Sequence, residues 1–428
     1  MTRIDHPRQA VLWSAAALVL LLVYSLLVLS DWLLAATQAQ VNRSAQERQA
    51  QAIWLMQDRV LNIEPRERLA AYKAGFEKNL FLTDFDNPYM GDLVKKHGVA
   101  PLAPQPNARI AYCDEGYGLV RYQSDRFGFR NDDQVWNRAS TDVVLIGDSF
   151  VHGACQNERD TLAGKLQSEV PGPILNLGTA GNGPIHYAAI AKTFLPAVQP
   201  RRAVMVFFAN DNLDESKSVY RSFLDGDLEY LIRGRDGSLG LAPNVKALYA
   251  DAVARIPAPM GADPKPYAPA PQTMQAIRQW EAARREQRVG RTEVLAWQGR
   301  LRLDAFKSAV RDLASDWQGD VPWSTSVAVD TLKQYCRPPE CQPLVVYIPP
   351  SDFWSPDPRA KGYRERIKRY VEHAGVAFVD TSPALDSIGP RAYARSGPHL
   401  SPDGYAEAAA VISNALSGAS PLGGDNAL

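Results

Sequence analysis

Five short apolar runs, separated by helical patterns, constrain the fold of this chain more than any other feature. The runs lie at 142–148, 173–178, 203–209, 343–349 and 376–380. Amphipathic stretches lie near 160–170, 184–196 and 360–374, as helices between strands would. Strands that are apolar throughout and alternate with helices are typical of a parallel sheet covered on both faces. The pattern predicts a three-layer α/β domain with its ligand site at the carboxyl ends of the strands.

The spacing of the runs also predicts the domain organisation. Residues 212–342, between the third and fourth runs, are too many for one crossover, so we interpret them as a largely helical insertion. Its basic stretch 272–318 is interpreted as a solvated helical pair, with a substrate lid or a contact for an anionic polymer as the alternative. The predicted parts are a cytoplasmic tip and anchor, a stalk with a loop-rich lead-in, the α/β domain and a disordered tail, at 1–37, 38–140, 141–415 and 416–428.

The first of these parts indicates where the chain resides. Residues 10–30 contain no charged side chain and are long enough to cross a hydrocarbon core of about 30 Å as a helix. Arg3 and Arg8 precede this stretch, whereas the next basic residue is Arg43. This asymmetry predicts a single-pass inner-membrane protein with its N-terminus inside and the rest extracytoplasmic or periplasmic. A cleaved signal peptide is the alternative, and it also implies export.

Charge and cysteine content exclude several other classes of protein. Lys plus Arg and Asp plus Glu both number 47, and this balance argues against an electrostatic nucleic-acid binder. Export permits disulfides, and the candidate pairs are Cys113–Cys155 and Cys336–Cys341, although four cysteines allow three pairings and four buried thiols remain the alternative. No Cys/His cluster has zinc-ligand spacing, so we predict no metal and no cofactor.

Residues with chemical potential follow the predicted strands. The segments are Gly147–Phe150 after the first strand, Asn176–Gly183 after the second, Ala209–Asp211 after the third, and Ser396–Tyr405 before a last Ala-rich helix. A parallel sheet brings such loops to one edge. That edge would carry a hydroxyl, glycine amides, an Asn carboxamide and an imidazole.

This set is what acyl transfer requires. Ser149 is a weak nucleophile until a base takes its proton, and His399 is the expected base. A tetrahedral intermediate needs N–H donors for its oxyanion, and the candidates are the amides of Ser149 and Gly181 and the side chain of Asn210. Asp148 is expected to hold the nucleophile loop through backbone amides. The glycines of the second loop lack the Lys and Ser/Thr of a phosphate-binding loop.

The four segments, in this order and each after a strand, resemble the SGNH/GDSL hydrolase superfamily. The resemblance covers 141–415 and implies a flavodoxin-like α/β/α fold. By motif position it implies Ser149 as nucleophile, Gly181 and Asn210 as oxyanion donors and His399 as base. The stretch 122–132, YQSDRFGFRND, also resembles membrane-anchored, exported bacterial members, several of which act in envelope polysaccharide pathways.

Two residues depart from the family pattern. Members usually carry Asp three residues before the His, and here that position is Ser396; an orienting carboxylate normally fixes the His tautomer. We consider a dyad oriented by a backbone carbonyl, with Asp403 as a nearby carboxylate that better fits a helix N-terminal charge. The second departure is Ala209 in place of the usual Gly.

The predicted function is a serine esterase or O-acyltransferase that acts on acyl groups, in particular acetyl groups, of an extracytoplasmic polysaccharide. Its predicted partners are an acylated glycan, the membrane through one helix, and envelope polysaccharide-assembly proteins. The alternative from another class is a catalytically weakened glycan-binding or scaffold protein, motivated by Ser396 and Ala209. A lipase is a third interpretation, and the polar insertion argues against it.

Overall fold

A computed structural model describes most of the chain from residue 64 onward, together with one N-terminal helix. The described residues are 13–33, 64–82, 85, 88–138, 140–212, 218, 220–226, 229–235, 238–255, 303, 320–350, 359–394 and 397–418. They divide into two compact units, 1–50 with 267–319 and 51–266 with 320–428. The predicted linker 259–272, nearly all of the basic stretch 272–318, and most of the stalk and tail lie outside the described residues.

The described part of the first unit is almost entirely helix α1, Trp13–Leu33. It spans 21 residues with a mean hydropathy of 2.2 over its most apolar window, and none of that window is buried. By length and composition this helix can cross a membrane. It coincides with the segment that the sequence predicts as an anchor.

The lead-in to the central sheet is more regular than the sequence suggested. Its elements are α2 (Glu64–Lys73), β1 (Glu77–Lys78), α3 (Pro88–His97), β2 (Arg109–Ala111) and β3 (Arg121–Gln123). β1 pairs parallel with β2, and β2 pairs antiparallel with β3. Helix α3 forms where loops were expected because Met90, Leu93 and Val94 lie on one face and are buried.

The second unit is built on five parallel strands and the helices between them. In chain order these are β4 (Val143–Ile146), α4 (Ser149–His152), α5 (Leu162–Glu169), β5 (Ile174–Asn176), α6 (Pro184–Val198) and β6 (Arg202–Phe208), then, after the insertion, α9 (Trp323–Tyr335), β9 (Gln342–Ile348), α10 (Arg359–His373), β10 (Ala377–Asp380), α11 (Ser382–Ile388) and α12 (Pro402–Leu416). The insertion contributes α7 (Arg221–Asp225), β7 (Leu231–Arg233), β8 (Leu239–Leu241) and α8 (Val245–Arg255). All five predicted strands and the three predicted helices are confirmed.

The strand order is β10-β9-β6-β4-β5, and every neighbouring pair is parallel. Numbered within this sheet, that is 2-1-3-4-5, the flavodoxin-like order. The order reverses at β4, so the loops after β4, β5 and β6 meet beside a topological switch point. The predicted flavodoxin-like α/β fold is therefore confirmed.

Two apolar cores cover the sheet. Along β4, Val144 and Ile146 face one core, whereas Val143 and Leu145 face the other. The first core includes side chains of α6, α9 and α10, and the second includes those of α5, α11 and α12. Because successive strand residues point to opposite faces, continuously apolar strands require both layers. Helix α9, placed by sequence in the insertion, packs with α6 as part of this first layer.

Both predicted disulfides are present. Cys336 pairs with Cys341 across the Pro-rich turn before β9, and Cys113 pairs with Cys155. The alternative of four buried thiols is wrong, because the described chain has no free cysteine.

Candidate active site

Ser149 is presented at the turn between β4 and α4. Asp148 caps the helix by accepting a hydrogen bond from the Phe150 amide at 2.9 Å. Gly147 precedes it, and a Cβ there would lie 2.5 Å from Val151 Cγ2 and 3.0 Å from the Val206 carbonyl oxygen. Only glycine leaves room for this tight strand-to-helix turn. The hydrogen bond from the Phe150 amide is of the kind expected of Asp148 in this loop.

His399 faces Ser149 from the loop before α12. Its Nε2 lies 2.9 Å from Ser149 Oγ. The loop is held by the Ala394 amide, which donates to the His399 carbonyl at 2.8 Å, and by Gln156 Nε2, which donates to the Leu400 carbonyl at 3.0 Å. The structure therefore joins two residues that are 250 positions apart, within the reach needed for proton transfer.

The carboxylate that faces the other side of the imidazole is Glu115. His399 Nδ1 lies 2.6 Å from Glu115 Oε1, and the Glu115 side chain is 8% exposed. Glu115 comes from the turn between β2 and β3, in the lead-in. Asp114 Oδ1 fixes that turn by accepting hydrogen bonds from the amides of Gly116, Tyr117 and Gly118 at 2.7–3.0 Å.

This geometry corrects the sequence-based candidates for the acid. Asp403 is exposed in the first turn of α12, where Ser401 accepts from the Gly404 amide as the cap, so it is a helix N-terminal charge. Ser396 lies outside the described residues. The expected dyad with a backbone carbonyl is wrong, because Glu115 occupies the partner position of Nδ1.

One signal in the sequence pointed to Glu115. It stands two residues after Cys113, and the predicted partner Cys155 stands six residues after Ser149. The pairing alone therefore places a Glu near the nucleophile. The family pattern places the acid three residues before the His, whereas Glu115 lies 284 residues before His399, so the motif does not reveal it.

Gly397, two residues before His399, lies against the side chain of Glu115. A Cβ at this position would overlap the carboxyl carbon of Glu115. The absence of a side chain lets the Glu115 carboxylate approach the imidazole from this direction. The glycine of the His-containing segment and the Glu of the lead-in thus fit each other sterically.

The carboxylates around His399 raise the pKa of its imidazole. Burial lowers the pKa of His399, but the charge and hydrogen bond of Glu115 and the charge of Asp148 outweigh it, so the pKa is raised overall. Burial raises the pKa of Asp148, against the hydrogen bond from Phe150 and the charge of His399. In its neutral form the imidazole donates Nδ1–H to Glu115 and can accept the hydroxyl proton of Ser149 at Nε2.

The predicted oxyanion donors lie on the loops that follow β5 and β6. Gly181 is exposed and has a φ of +66°, a left-handed conformation that suits glycine. Asn210 is exposed in the single 3₁₀ turn Ala209–Asp211 directly after β6. Since β5 and β6 both pair with β4 in parallel, these residues and the Ser149 amide share one edge of the sheet.

Buried side chains hold both of these loops. Asn182 Nδ2 donates to the Gly147 carbonyl at 3.3 Å, and the Thr179 amide donates to the same carbonyl at 3.1 Å. On the other side, Asp211 Oδ2 accepts from the Phe208 amide at 2.8 Å, and the Tyr187 hydroxyl donates to Asp211. The Gly-rich loop is thereby fixed relative to the nucleophile turn.

His152 is a structural residue of the site. It is buried, and its Nδ1 accepts a hydrogen bond from the Ala180 amide at 3.1 Å while Nε2 lies 2.9 Å from the Tyr122 hydroxyl. Burial, assisted by the charges of Arg130 and His399, lowers the pKa of His152 to about 3. It therefore stays neutral and links α4 to the loop that carries Gly181.

The lead-in stretch 122–132 supports the site through hydrogen bonds to the loop after α4 and to the end of β5. Arg130 is buried and donates to the carbonyls of Gly153 and Gln156 at 2.8 and 2.9 Å, just after α4. Asn131 exchanges two 2.9 Å hydrogen bonds with the backbone of Asn176, at the end of β5. The stretch 122–132 thus anchors both the turn that carries Ser149 and the Gly-rich loop.

Glu115, Cys155 and His399 have ligand atoms within 4.8 Å of one another, which is close enough for a metal ion. Cys155 is bonded to Cys113, however, so its sulfur is not a thiolate ligand. The closeness of the other two is accounted for by their hydrogen bond. The chemistry of this donor set fits a hydrogen-bonded relay better than a metal centre.

Comparison with known proteins gives matches among solved structures only. No family model matches the chain, and no curated protein matches it. A Desulfitobacterium hafniense DCB-2 protein described as belonging to the G-D-S-L lipolytic family is 12% identical, with a TM-score of 0.31 over 64% of this chain and 99% of that chain. Inhibitor-bound aryl esterase of M. smegmatis is 10% identical, with a TM-score of 0.33 over 65% of this chain and 99% of that chain.

A third similar structure is an alpha/beta hydrolase enzyme from the metagenome of Lake Arreo, Spain. It is 14% identical, with a TM-score of 0.30 over 66% of this chain and 98% of that chain. Likenesses of this degree carry no statement about chemistry. The function of the chain therefore has to be inferred from the geometry of Ser149, His399 and Glu115.

Proposed function

We propose that the protein is a serine esterase or O-acyltransferase whose catalytic triad is Ser149, His399 and Glu115. The single observation that carries this proposal is the continuous hydrogen-bonded chain from Ser149 Oγ through the imidazole to Glu115, with distances of 2.9 and 2.6 Å. A hydroxyl, a base and an orienting carboxylate in this order are the constellation of nucleophilic acyl transfer.

In the proposed mechanism Ser149 Oγ attacks the carbonyl carbon of an ester while its proton passes to His399 Nε2. The carbonyl π electrons move to oxygen, and the resulting oxyanion is bound by the amides of Ser149 and Gly181 and by the Asn210 side chain. When the tetrahedral intermediate collapses, the imidazolium gives its proton to the departing alcohol. Glu115 stabilises the imidazolium through its hydrogen bond to Nδ1.

The acyl-enzyme is then released to an acceptor. His399 takes a proton from the acceptor hydroxyl as it attacks the acyl carbon, and returns a proton to Ser149 Oγ as the intermediate collapses. Water as acceptor gives deacylation, whereas a sugar hydroxyl gives transfer. Both outcomes use the same residues, so the assay must measure both free acid and acylated acceptor.

We propose an acylated extracytoplasmic polysaccharide as the substrate, acetyl as its acyl group, and the inner membrane as its location. Helix α1 supplies the anchor in this proposal, with the N-terminus in the cytoplasm. Two disulfides support an oxidising compartment for the α/β domain. Envelope polysaccharide-assembly proteins are the proposed partners. The alternative, a catalytically weakened glycan-binding or scaffold protein, has less support, because Glu115 supplies the carboxylate that is missing at position 396.

The proposal is tested with Ser149→Ala. We expect loss of turnover of p-nitrophenyl acetate and loss of covalent labelling by a fluorophosphonate probe, because the nucleophile is absent. Ser168→Ala is the matched control, since Ser168 is exposed on α5 and bonds only to carbonyls of its own helix. Activity and labelling that persist in Ser149→Ala would refute the assignment.

Substrate class is tested separately on the parent enzyme. Acetate release from O-acetylated xylan, or acetyl transfer to the deacetylated polymer, is the expected result. A triacylglycerol emulsion serves as the comparison for a lipase. Turnover of the emulsion without turnover of the polymer would overturn the polysaccharide assignment and leave the triad in place.

A further inference from the structure

The disulfide Cys113–Cys155 connects the two parts of the chain that supply the proposed triad. Cys113 lies in the hairpin that carries Glu115, and Cys155 lies in the loop that follows α4 and Ser149. Their Cα atoms are 4.9 Å apart. The covalent path from Glu115 to the nucleophile helix is therefore short, although the two residues lie far apart in the sequence.

Hydrogen bonds within the hairpin define the shape of the Glu115 turn. The Tyr112 amide donates to the Val120 carbonyl, and the Val120 amide donates to the Cys113 carbonyl, both at 2.9 Å. Asp114 accepts only from amides of the same turn. The hairpin meets α4 itself through the Tyr122 hydroxyl, which lies 2.9 Å from His152 Nε2, and the disulfide is the covalent bond that joins the hairpin to the loop after α4.

The hairpin meets the loop after α4 in a small apolar cluster. The cluster contains Ala108, Ile110, Tyr112, Val120 and Tyr122 from the lead-in, and Ala154, Cys155 and Ala180 from the α/β domain. Cys155 is 3% exposed and has a φ of +56°, a conformation that residues other than glycine rarely adopt. The disulfide thus joins the two sides of this contact, at a residue with an unusual backbone conformation.

Glu115 has little freedom to compensate for a shift of the hairpin. Its Oε1 bonds His399, and its Oε2 has no hydrogen-bond partner among the described residues. Gly397 lies against the carboxyl group so closely that a Cβ there would overlap it. Because catalytic groups must be held within about 0.5 Å of productive geometry, a small displacement of Cys113 would separate Glu115 from the imidazole.

We propose that the Cys113–Cys155 disulfide is a positioning bond for the acid of the triad. Glu115 reaches His399 productively only while this bond is closed, so acyl transfer is restricted to the oxidised protein. This inference rests on the proposed function and adds a condition under which that function operates. Cys336–Cys341, which lies before β9, has no such role and provides an internal control.

The first experiment compares the double variants C113S/C155S and C336S/C341S in the full chain. We expect kcat for p-nitrophenyl acetate to fall at least 100-fold in C113S/C155S and less than threefold in C336S/C341S. Circular dichroism and thermal unfolding establish that both variants are folded at the assay temperature. An unchanged kcat in C113S/C155S would overturn the proposal.

A second comparison separates positioning from general damage. Adding Glu115→Gln to C113S/C155S should lower kcat by less than threefold further, because the acid is already displaced. A further loss as large as that which Glu115→Gln causes in the parent protein would show that Glu115 still works without the disulfide, and would overturn the proposal.

The pH profile gives a readout that a merely structural bond would not move. The charged and titratable groups about His399 are Glu115 from the hairpin and Asp148 from the β4–α4 turn, with His152 and Tyr405 in the same buried region. Loss of the Glu115 contact lowers the pKa of His399, so the acid limb of kcat/KM should move to lower pH in C113S/C155S, as in Glu115→Gln. An acid limb identical to that of the parent would contradict displacement of the acid.

If C113S/C155S does not fold, the same question is asked of folded C336S/C341S, in which Cys113–Cys155 is the one remaining disulfide. One dithiothreitol reduces this bond, supplying two electrons and two protons to the sulfurs and leaving as its own cyclic disulfide. We expect activity to fall as alkylation reports two free thiols, and to return when excess oxidised dithiothreitol re-forms the bond. Full activity with two free thiols would refute the proposal.

The outcomes are distinguishable from failure of the proposed function. If Ser149→Ala retains activity, the triad itself is wrong. If Ser149→Ala is inactive while Glu115→Gln and C113S/C155S are unimpaired, the esterase assignment stands and the positioning role is rejected.

Discussion

Replacing Glu115 by glutamine removes the charge that faces the imidazole and keeps nearly the same side-chain volume. Glu115 Oε1 lies 2.6 Å from His399 Nδ1, and both side chains are largely buried. Unit charges centred about 4 Å apart at an effective dielectric constant of about 20 interact by about 4 kcal/mol. If that stabilisation of the imidazolium is lost, kcat falls by a factor of about 10³.

The assay is steady-state hydrolysis of p-nitrophenyl acetate across pH, with Asp403→Asn as the control. Asp403 is the carboxylate that the sequence suggested, and it lies exposed on α12, so its variant should keep kcat within threefold. In Glu115→Gln the acid limb of kcat/KM should move to lower pH, because the carboxylate that raises the pKa of His399 is gone. A drop of less than tenfold, or a larger effect in Asp403→Asn, would refute the reasoning.

Three further results are expected. Gly397→Ala should lower kcat more than 10-fold, measured with the same ester, because the new methyl group would overlap Glu115 and displace it. Asp125→Ala should lower the free energy of unfolding in urea by about 3–5 kcal/mol, since this buried carboxylate accepts hydrogen bonds from four donors and a buried donor left without an acceptor costs about 1–3 kcal/mol; a loss under 1 kcal/mol would contradict that role. Removing Cys113–Cys155 should cost about 4 kcal/mol of stability and removing Cys336–Cys341 about 2 kcal/mol, because loop-closure entropy grows with the separations of 42 and 5 residues; equal costs by urea denaturation would speak against this account.

Local patterns were sufficient to predict the sheet and most of its site. A strand that is apolar on both faces is stable only between two layers. The apolar runs from 142 to 380 therefore predict a parallel sheet. Because parallel strands end at one edge of the sheet, the sequence predicts that Ser149 and His399 lie together, and in the structure His399 Nε2 is 2.9 Å from Ser149 Oγ. The two cysteine pairs were candidates among the three pairings that four cysteines allow, and the folded chain decided between them.

The folded chain decided which carboxylate faces His399, and the candidate Cys113–Cys155 pair was its single sequence signal. Glu115 belongs to a short hairpin outside the repeating strand–helix pattern, and nothing in its immediate sequence requires a partner 284 residues away. Its role depends on a hairpin docked against the loop after α4, on a disulfide across that contact, and on a glycine that leaves space for the carboxylate. Periodicity reports which face of an element is buried, whereas the meeting of two irregular segments depends on long-range packing that no local pattern encodes.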